Sequence, residues 1–223
     1  MFRRLRLKRI HTMYLEASRN LKEGRDYWRR EKSVLHGILE FLSPVPLLGL
    51  HEDGARLLAA LTLLETSCKE IPLRTETLQK YHRLIHPFRE PGAGEYRKGQ
   101  ASVLDSKISR PPYQKVQALM MQLEAKLRQE QETLDRERPA APDAVLRQAI
   151  EVHQKITFIH PFTDGNGRVA RLAMNHILRR YGQAYVILPP ISESPEHFHS
   201  LEEAHRGNFA AFLDFARSHQ FQA

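Results

Sequence analysis

Twelve consecutive residues, His160-Pro161-Phe162-Thr163-Asp164-Gly165-Asn166-Gly167-Arg168-Val169-Ala170-Arg171, gather the residue types that polyphosphate chemistry requires. Pro161 disfavours helical geometry at His160, so the helix entering the segment ends near Ile159. Gly165 and Gly167 permit tight backbone geometry and close approach of a ligand to the main chain. A second helix starts near Asn166, and its free N–H groups form an anion site whose usual occupant is phosphate. Arg168 and Arg171 share one face of that helix, Asn175 extends the face, and Val169, Leu172 and Ala173 point to the core. Two arginines beside a helix start suit a polyphosphate better than a single phosphate. Asp164 sets a carboxylate at the mouth of the turn, enough for Mg²⁺, which often takes one or two carboxylates and completes its shell with phosphate and water. His160, with an ordinary pKa of about 6.5, is roughly three-quarters neutral at pH 7 and available as a base.

Each piece alone has a plainer reading. A histidine before a proline is usually structural, Asp-Gly-Asn-Gly is usually a turn, and a pair of arginines is usually a solvated helix face. The turn also evokes a calcium loop, but the other spaced acidic ligands of an EF-hand are missing. All of these features in one register select a nucleotide site.

The elements that must position this segment are helical. Leu57, Leu58, Leu61 and Leu64 mark one helix, and Leu78, Tyr81 and Leu84 a second with Thr75 as its N-cap. Val116, Leu119, Met120, Leu123 and Leu127 mark a third, which runs into the charged stretch 128–138 and is broken at Pro139 and Pro142. Leu146, Ala149, Ile150, His153 and Ile156 place a helix directly before His160; Val169, Leu172, Ala173 and Ile177 place another after it; a last pair lies around 195–205 and 208–219. One stretch breaks the rhythm: the turn from Pro91 to Arg97 and the extended piece Ala101-Ser102-Val103-Leu104-Asp105, ending at Pro111-Pro112, read as a β-hairpin or an ordered surface loop. The fold class is mainly α, a single helical domain with one β-hairpin, residues 51–223, preceded by a basic, helical extension over residues 1–50.

Bulk composition agrees. The chain has 223 residues, 41% of them hydrophobic, which is enough for a real core. The longest near-continuous apolar run, Leu57 to Leu64, is far short of the roughly twenty residues that span a bilayer. The basic N-terminus has no apolar stretch after it, unlike a secretory signal. With one cysteine, Cys68, no internal disulfide forms, and the expected compartment is the reducing cytoplasm, though later delivery through a specialised secretion system would leave no legible trace. The net charge of +8 suits an anionic partner. Nucleic acid is disfavoured in that role because no base-reading motif accompanies the charge.

The twelve-residue segment resembles the signature of the Fic family (filamentation induced by cAMP), His-x-Phe-x-[Asp/Glu]-Gly-Asn-Gly-Arg-x-x-Arg, at every specified position. The resemblance extends more loosely over residues 75–219, with His153, Ile159 and Leu172-Ala173-Met174-Asn175 echoing the flanks and Gly94 to Pro112 resembling the family's flap. It implies a Fic-like helical domain that moves AMP from ATP to a Tyr, Thr or Ser hydroxyl of a target protein. His160 would be the base, and Asp164 would hold Mg²⁺. Asn166 with the N–H groups of Gly165 and Gly167 would stabilise developing charge, and Arg168 and Arg171 would bind the β- and γ-phosphates. Phe162 would be a buried anchor, and the flap residues Ala101, Ser102, Val103 and Leu104 would dock the target by strand addition.

Many members carry an inhibitory glutamate that pairs with the second motif arginine, here Arg171. The candidates are Glu23, in Ser18-Arg19-Asn20-Leu21-Lys22-Glu23-Gly24, and Glu70, in Thr66-Ser67-Cys68-Lys69-Glu70; neither fits the pattern fully. A separate inhibitory partner protein is the alternative. The Doc branch of the family phosphorylates its target and typically has lysine at the second motif glycine, so Gly167 favours AMP transfer. Transfer of other groups, removal of AMP, and a non-catalytic nucleic-acid-binding or scaffolding role complete the set of rivals; the intact His160, Asp164 and both arginines oppose the last.

Overall fold

Helices buried on nearly every side belong at the centre of a domain, and two of them flank the motif. The computed structural model describes residues 52–86, 92–103, 106–137, 139–189, 191 and 194–220. Its elements are α1 (Glu52–Ser67), α2 (Thr75–Ile85), α3 (Tyr113–Arg136), α4 (Pro142–Ile159), α5 (Asn166–Arg180), α6 (Pro195–His205) and α7 (Phe209–Ser218). The expected 1–50 extension lies outside the described residues.

In α5 every residue from Val169 to Leu178 is buried, and α4 buries Val145, Leu146, Ala149, Ile150, Val152, Ile156 and Ile159. These two helices make the most extensive contact in the domain; α1 and α2 pack on α5, while α3, α6 and α7 pack on α4. The mainly helical reading holds, and each helix expected within the described residues is present. No helix among the described residues is long and apolar enough to cross a membrane.

Three local expectations are corrected. Thr75 is the first helical residue rather than the N-cap; its N–H donates to Glu124 Oε2 at 2.7 Å, so α3 caps α2 across the fold. Asn175 does not extend the arginine face. It is buried, donates through Nδ2 to Val186 O (3.0 Å) and accepts from Val186 N–H (2.9 Å), thereby tying down the chain that follows α5. The segment around residues 95–108 carries no β-ladder among the described residues, which include Ala101, Ser102 and Val103 but not Leu104 or Asp105. Side chains replace strand pairing there: Ser106 Oγ donates to Glu202 Oε1 of α6 at 2.7 Å, and Arg110 donates to Ser106 Oγ at 3.3 Å.

Burial also governs the histidines. His176, fully buried, accepts from Tyr81 O–H at Nδ1 (2.7 Å) and donates from Nε2 to Ile71 O (2.9 Å), which leaves no room for a second ring proton. Burial lowers its pKa to about 4, and likewise those of His82, His160, His197 and His205. His153, against Phe212 and without a partner at either ring nitrogen, is also pushed well down by burial. Each folded-state value lies below the unfolded value near 6.5, so the unfolded chain takes up more protons on acidification. Stability is therefore full above pH 6.5 and falls as the pH drops from there towards 4. Urea midpoints measured between pH 7.5 and pH 5 should decline steadily; a flat profile would contradict neutral burial of these rings.

Candidate active site

The connection between α4 and α5 reverses the chain within six residues, 160–165. Its first residue, His160, is left-handed (φ 53°, ψ 59°), the only non-glycine residue with positive φ among the described residues. Pro161 excludes right-handed helix at His160, and the left-handed alternative costs a side chain about 1–3 kcal/mol, so surrounding contacts must hold it. His160 N–H still closes the last helical turn on Ile156 O (2.9 Å). Its Nδ1 faces the carbonyl of Thr157 at 3.4 Å, a group that only accepts, so Nδ1 carries the proton and Nε2 is the free base. Burial first, then the cations Arg110 and Arg97, hold its pKa near 4, so the ring is almost wholly neutral at pH 7.

Phe162 is fully buried, as expected of an anchor, and stacks on His82 at 4.0 Å. Asn166 behaves differently from expectation. Its Oδ1 accepts from Phe162 N–H (2.9 Å) and its Nδ2 donates to Phe162 O (2.8 Å), so the buried side chain stitches the turn rather than facing a ligand. The helix start it occupies remains open: no side chain caps α5, and Val169 is the first residue whose N–H reaches a carbonyl of the turn, Gly165 O at 2.9 Å.

The two glycines serve different ends. Gly165 has φ +72°, and a Cβ there would sit 3.3 Å from Ile85 Cδ1, so both backbone and packing require it. Gly167 has ordinary helical geometry, and a Cβ there would meet only Arg171 Nη1, at 3.7 Å. Its missing side chain leaves room in front of the helix start, beside Arg171.

Arg168 donates to Asp164 Oδ2 at 3.2 Å, in a pair whose carboxylate side chain is 79% exposed. Arg171 is 7% exposed, its Nε has no partner, and it makes no ion pair among the described residues. Burial, with Arg168 beside it, lowers its pKa to about 10, so it remains charged. A buried cation without a carboxylate is costly unless an anion joins it. For Mg²⁺, Asp164 is the single carboxylate of the turn, and no group of three or more acidic, histidine or cysteine side chains suited to a metal occurs among the described residues. The residues thus fit a divalent ion brought in with phosphate oxygens, not one caged by protein alone.

Two residues outside the motif brace it, and nothing in their types or spacing distinguishes them from surface polar residues. His82 accepts from Gly94 N–H at Nδ1 (2.7 Å) and donates from Nε2 to Asp164 O (3.2 Å). Arg97 donates to carbonyls at the end of α4. Ala101, Ser102 and Val103 lie on the loop that Arg97 opens, while Leu104 is outside the described residues. Of the proposed inhibitory glutamates, Glu23 is likewise outside them. Glu70 is on the turn after α1, where Arg180 Nη1 donates to the neighbouring Lys69 O at 3.2 Å. Arg180 closes α5 nine residues beyond Arg171, about 13 Å along the axis, so that turn adjoins the far end of the helix.

Comparison with known proteins agrees with this geometry. A model of the Fic/DOC family matches residues 72–178. The chain is 42% identical over 86 residues to Protein adenylyltransferase fic-1 of Caenorhabditis briggsae, a stretch covering 39% of this chain and 17% of that protein. The chain thus spans under a fifth of the length of the curated relatives it first matches. Among solved structures, a Fic domain-containing signaling protein from Bacteroides thetaiotaomicron superposes with a TM-score of 0.64 at 20% identity, covering 95% of this chain and 91% of that one. The BepC effector protein of Bartonella tribocorum, solved with bound AMPPNP, gives a TM-score of 0.50 at 16% identity, covering 75% of this chain and 86% of that one. At these identities the structural likeness shows the fold.

The unpaired burial of Arg171 sets a signed expectation. Arg171→Met should leave the urea midpoint unchanged or raise it, because an apolar side chain of similar length needs no counter-ion. The same variant should bind ATP roughly tenfold to a hundredfold more weakly, the worth of a charge-assisted contact. A large loss of stability with unchanged ATP affinity, read by calorimetry, would make Arg171 a structural residue.

Proposed function

We propose that this chain, whose residues 72–178 match the Fic/DOC family, transfers AMP from ATP to a Tyr, Thr or Ser hydroxyl of a protein. One observation carries the reading: Arg171, buried without a carboxylate among the described residues, stands beside an uncapped helix start and a glycine that leaves space for a ligand. The name adenylyltransferase borne by the curated relatives and the nucleotide analogue in the Bartonella protein support ATP as donor.

In this reading the β- and γ-phosphates lie against Arg168, Arg171 and the N–H groups at the start of α5. His160 Nε2 takes the proton of the acceptor hydroxyl as its oxygen attacks the α-phosphorus. The bond from that phosphorus to the bridging oxygen breaks, and pyrophosphate departs within the arginine cradle. Mg²⁺, held by Asp164 together with the nucleotide, supplies charge neutralisation when bound. The N–H groups of Gly167 and Arg168 need no reorganisation to meet developing charge, since the helix fixes them. The acceptor segment docks on the loop beginning at Arg97, through main-chain hydrogen bonds. A cytoplasmic site of action and inhibition by a partner or by Glu23 belong to the same proposal.

Incubation with α-labelled and γ-labelled ATP in the presence of a lysate decides the transferred group. Label should follow the α-phosphate; label from the γ-position would make the enzyme a kinase. His160→Ala should lower transfer about 10²–10⁴-fold with ATP affinity retained, because the base acts on the hydroxyl and not on the nucleotide. Asp164→Ala should blunt the response to Mg²⁺. Transfer by the His160→Ala variant near the parent rate would remove His160 from the mechanism.

A further inference from the structure

A helix that ends in a buried turn leaves its last carbonyls without donors, and a charged donor is the strongest remedy available inside a protein. Here that donor comes from the loop expected to dock the acceptor. Arg97, 5% exposed, donates from Nε to His160 O (2.7 Å) and from Nη2, over a longer 3.4 Å, to Ile159 O. The same guanidinium donates from Nη1 to Gly99 O (2.7 Å) and from Nη2 to Pro111 O (2.5 Å). Its own N–H donates to Pro161 O at 2.8 Å. One side chain therefore joins the carbonyl end of α4, the left-handed residue that carries the base, and both stems of the 97–111 loop.

Two features make this more than a helix cap. Gly99 and Pro111 are twelve residues apart, and their carbonyls meet only at this guanidinium, which closes the base of the loop in place of the strand pairing that the described residues lack. His160 needs outside support to stay left-handed, and Arg97 holds that residue's carbonyl while Arg97 N–H holds the next one. No carboxylate pairs with Arg97 among the described residues; its charge faces carbonyls alone.

We propose that Arg97 is a positioning residue that fixes the acceptor-docking loop and the His160 turn as one rigid unit, so that hydroxyl and base arrive in register. The proposal rests on the transfer reading above. Arg97 touches neither nucleotide-binding arginine, so its loss misaligns the acceptor and base while the nucleotide cradle stays intact. Lysine cannot replace it, because one ammonium cannot span carbonyls held by a planar fork.

The test uses the intact chain with Arg97→Lys. Amide hydrogen exchange should quicken in residues 97–111 and 160–162 together, with α5 protected as in the parent. Auto-modification with α-labelled ATP should fall roughly tenfold to a hundredfold in kcat, the scale of a misplacement near 1 Å, with KM for ATP unchanged. Parent-like exchange in both segments overturns the proposal, as does a loss confined to KM for ATP. Exchange is read without any transfer, so a parent that moves no label defeats the proposed function while the exchange pattern still decides on Arg97. Should the lysine variant fail to melt cooperatively, Arg97→Gln, which keeps one donor and most of the volume, takes its place under the same outcomes.

Discussion

A chain that reverses within six residues between two buried helices must leave main-chain carbonyls at the end of the first and N–H groups at the start of the second without helical partners. The rest of this structure follows from how unequally those two sets are treated. The carbonyls of Ile159, His160 and Pro161 are all met from within the protein, through the side chain and N–H of Arg97. The N–H groups at the start of α5 are given no capping side chain. Asn166, whose type suits a cap, turns away to bond Phe162 instead. Acceptors closed and donors open is the polarity of an anion site.

Electrostatics reinforce that polarity. Arg168 helps to lower the pKa of Arg171 beside it, and Asp164, whose carboxylate is mostly exposed, pairs with Arg168 among the described residues. An exposed pair of that kind is worth little, so Arg168 can exchange it for phosphate at small cost. His160 is neutral for a related reason: burial and two neighbouring guanidinium groups disfavour a further cation beside it. Kept neutral, the ring leaves Nε2 free to accept a hydrogen bond or a proton. The buried rings of His153 and His197, with Arg171 acting on both, extend the same cation-averse environment behind the site.

Much of this was legible in the sequence, where the physics is local. Helical periodicity placed the seven helices of the described residues, Pro161 stopped α4 at Ile159, and the motif glycines placed the start of α5 at Asn166. The illegible parts are those decided by partners distant along the chain. Thr75 lost its capping role to Glu124, forty-nine residues away, and Asn175 left the arginine face for Val186. Arg97 sits in a polar run with Glu95 and Lys98, where residue type alone indicates solvent, yet it is among the most buried charges of the domain. The loop it closes reads as a hairpin because its residues favour extended backbone; side chains from α6, not strand partners, hold the described part in place.

That last point separates two layers of the site. Residues 72–178, the extent of the family match, contain His82, Arg97, His160, Asp164, Arg168 and Arg171. Ser106 and Arg110, on the return of the loop, bond residues outside that match. Glu202 accepts from Ser106, and His205 bridges Arg110 to Thr157 Oγ1 in the last turn of α4. The Arg97 end of the loop is therefore held from within the family match, while its return at Ser106 and Arg110 is held by α6. Glu202 and His205 bond neither Arg97 nor Arg171, but His205 reaches Thr157, whose carbonyl faces His160 Nδ1. The loop and the His160 turn are therefore coupled through α6, since His205 bonds both Arg110 and Thr157.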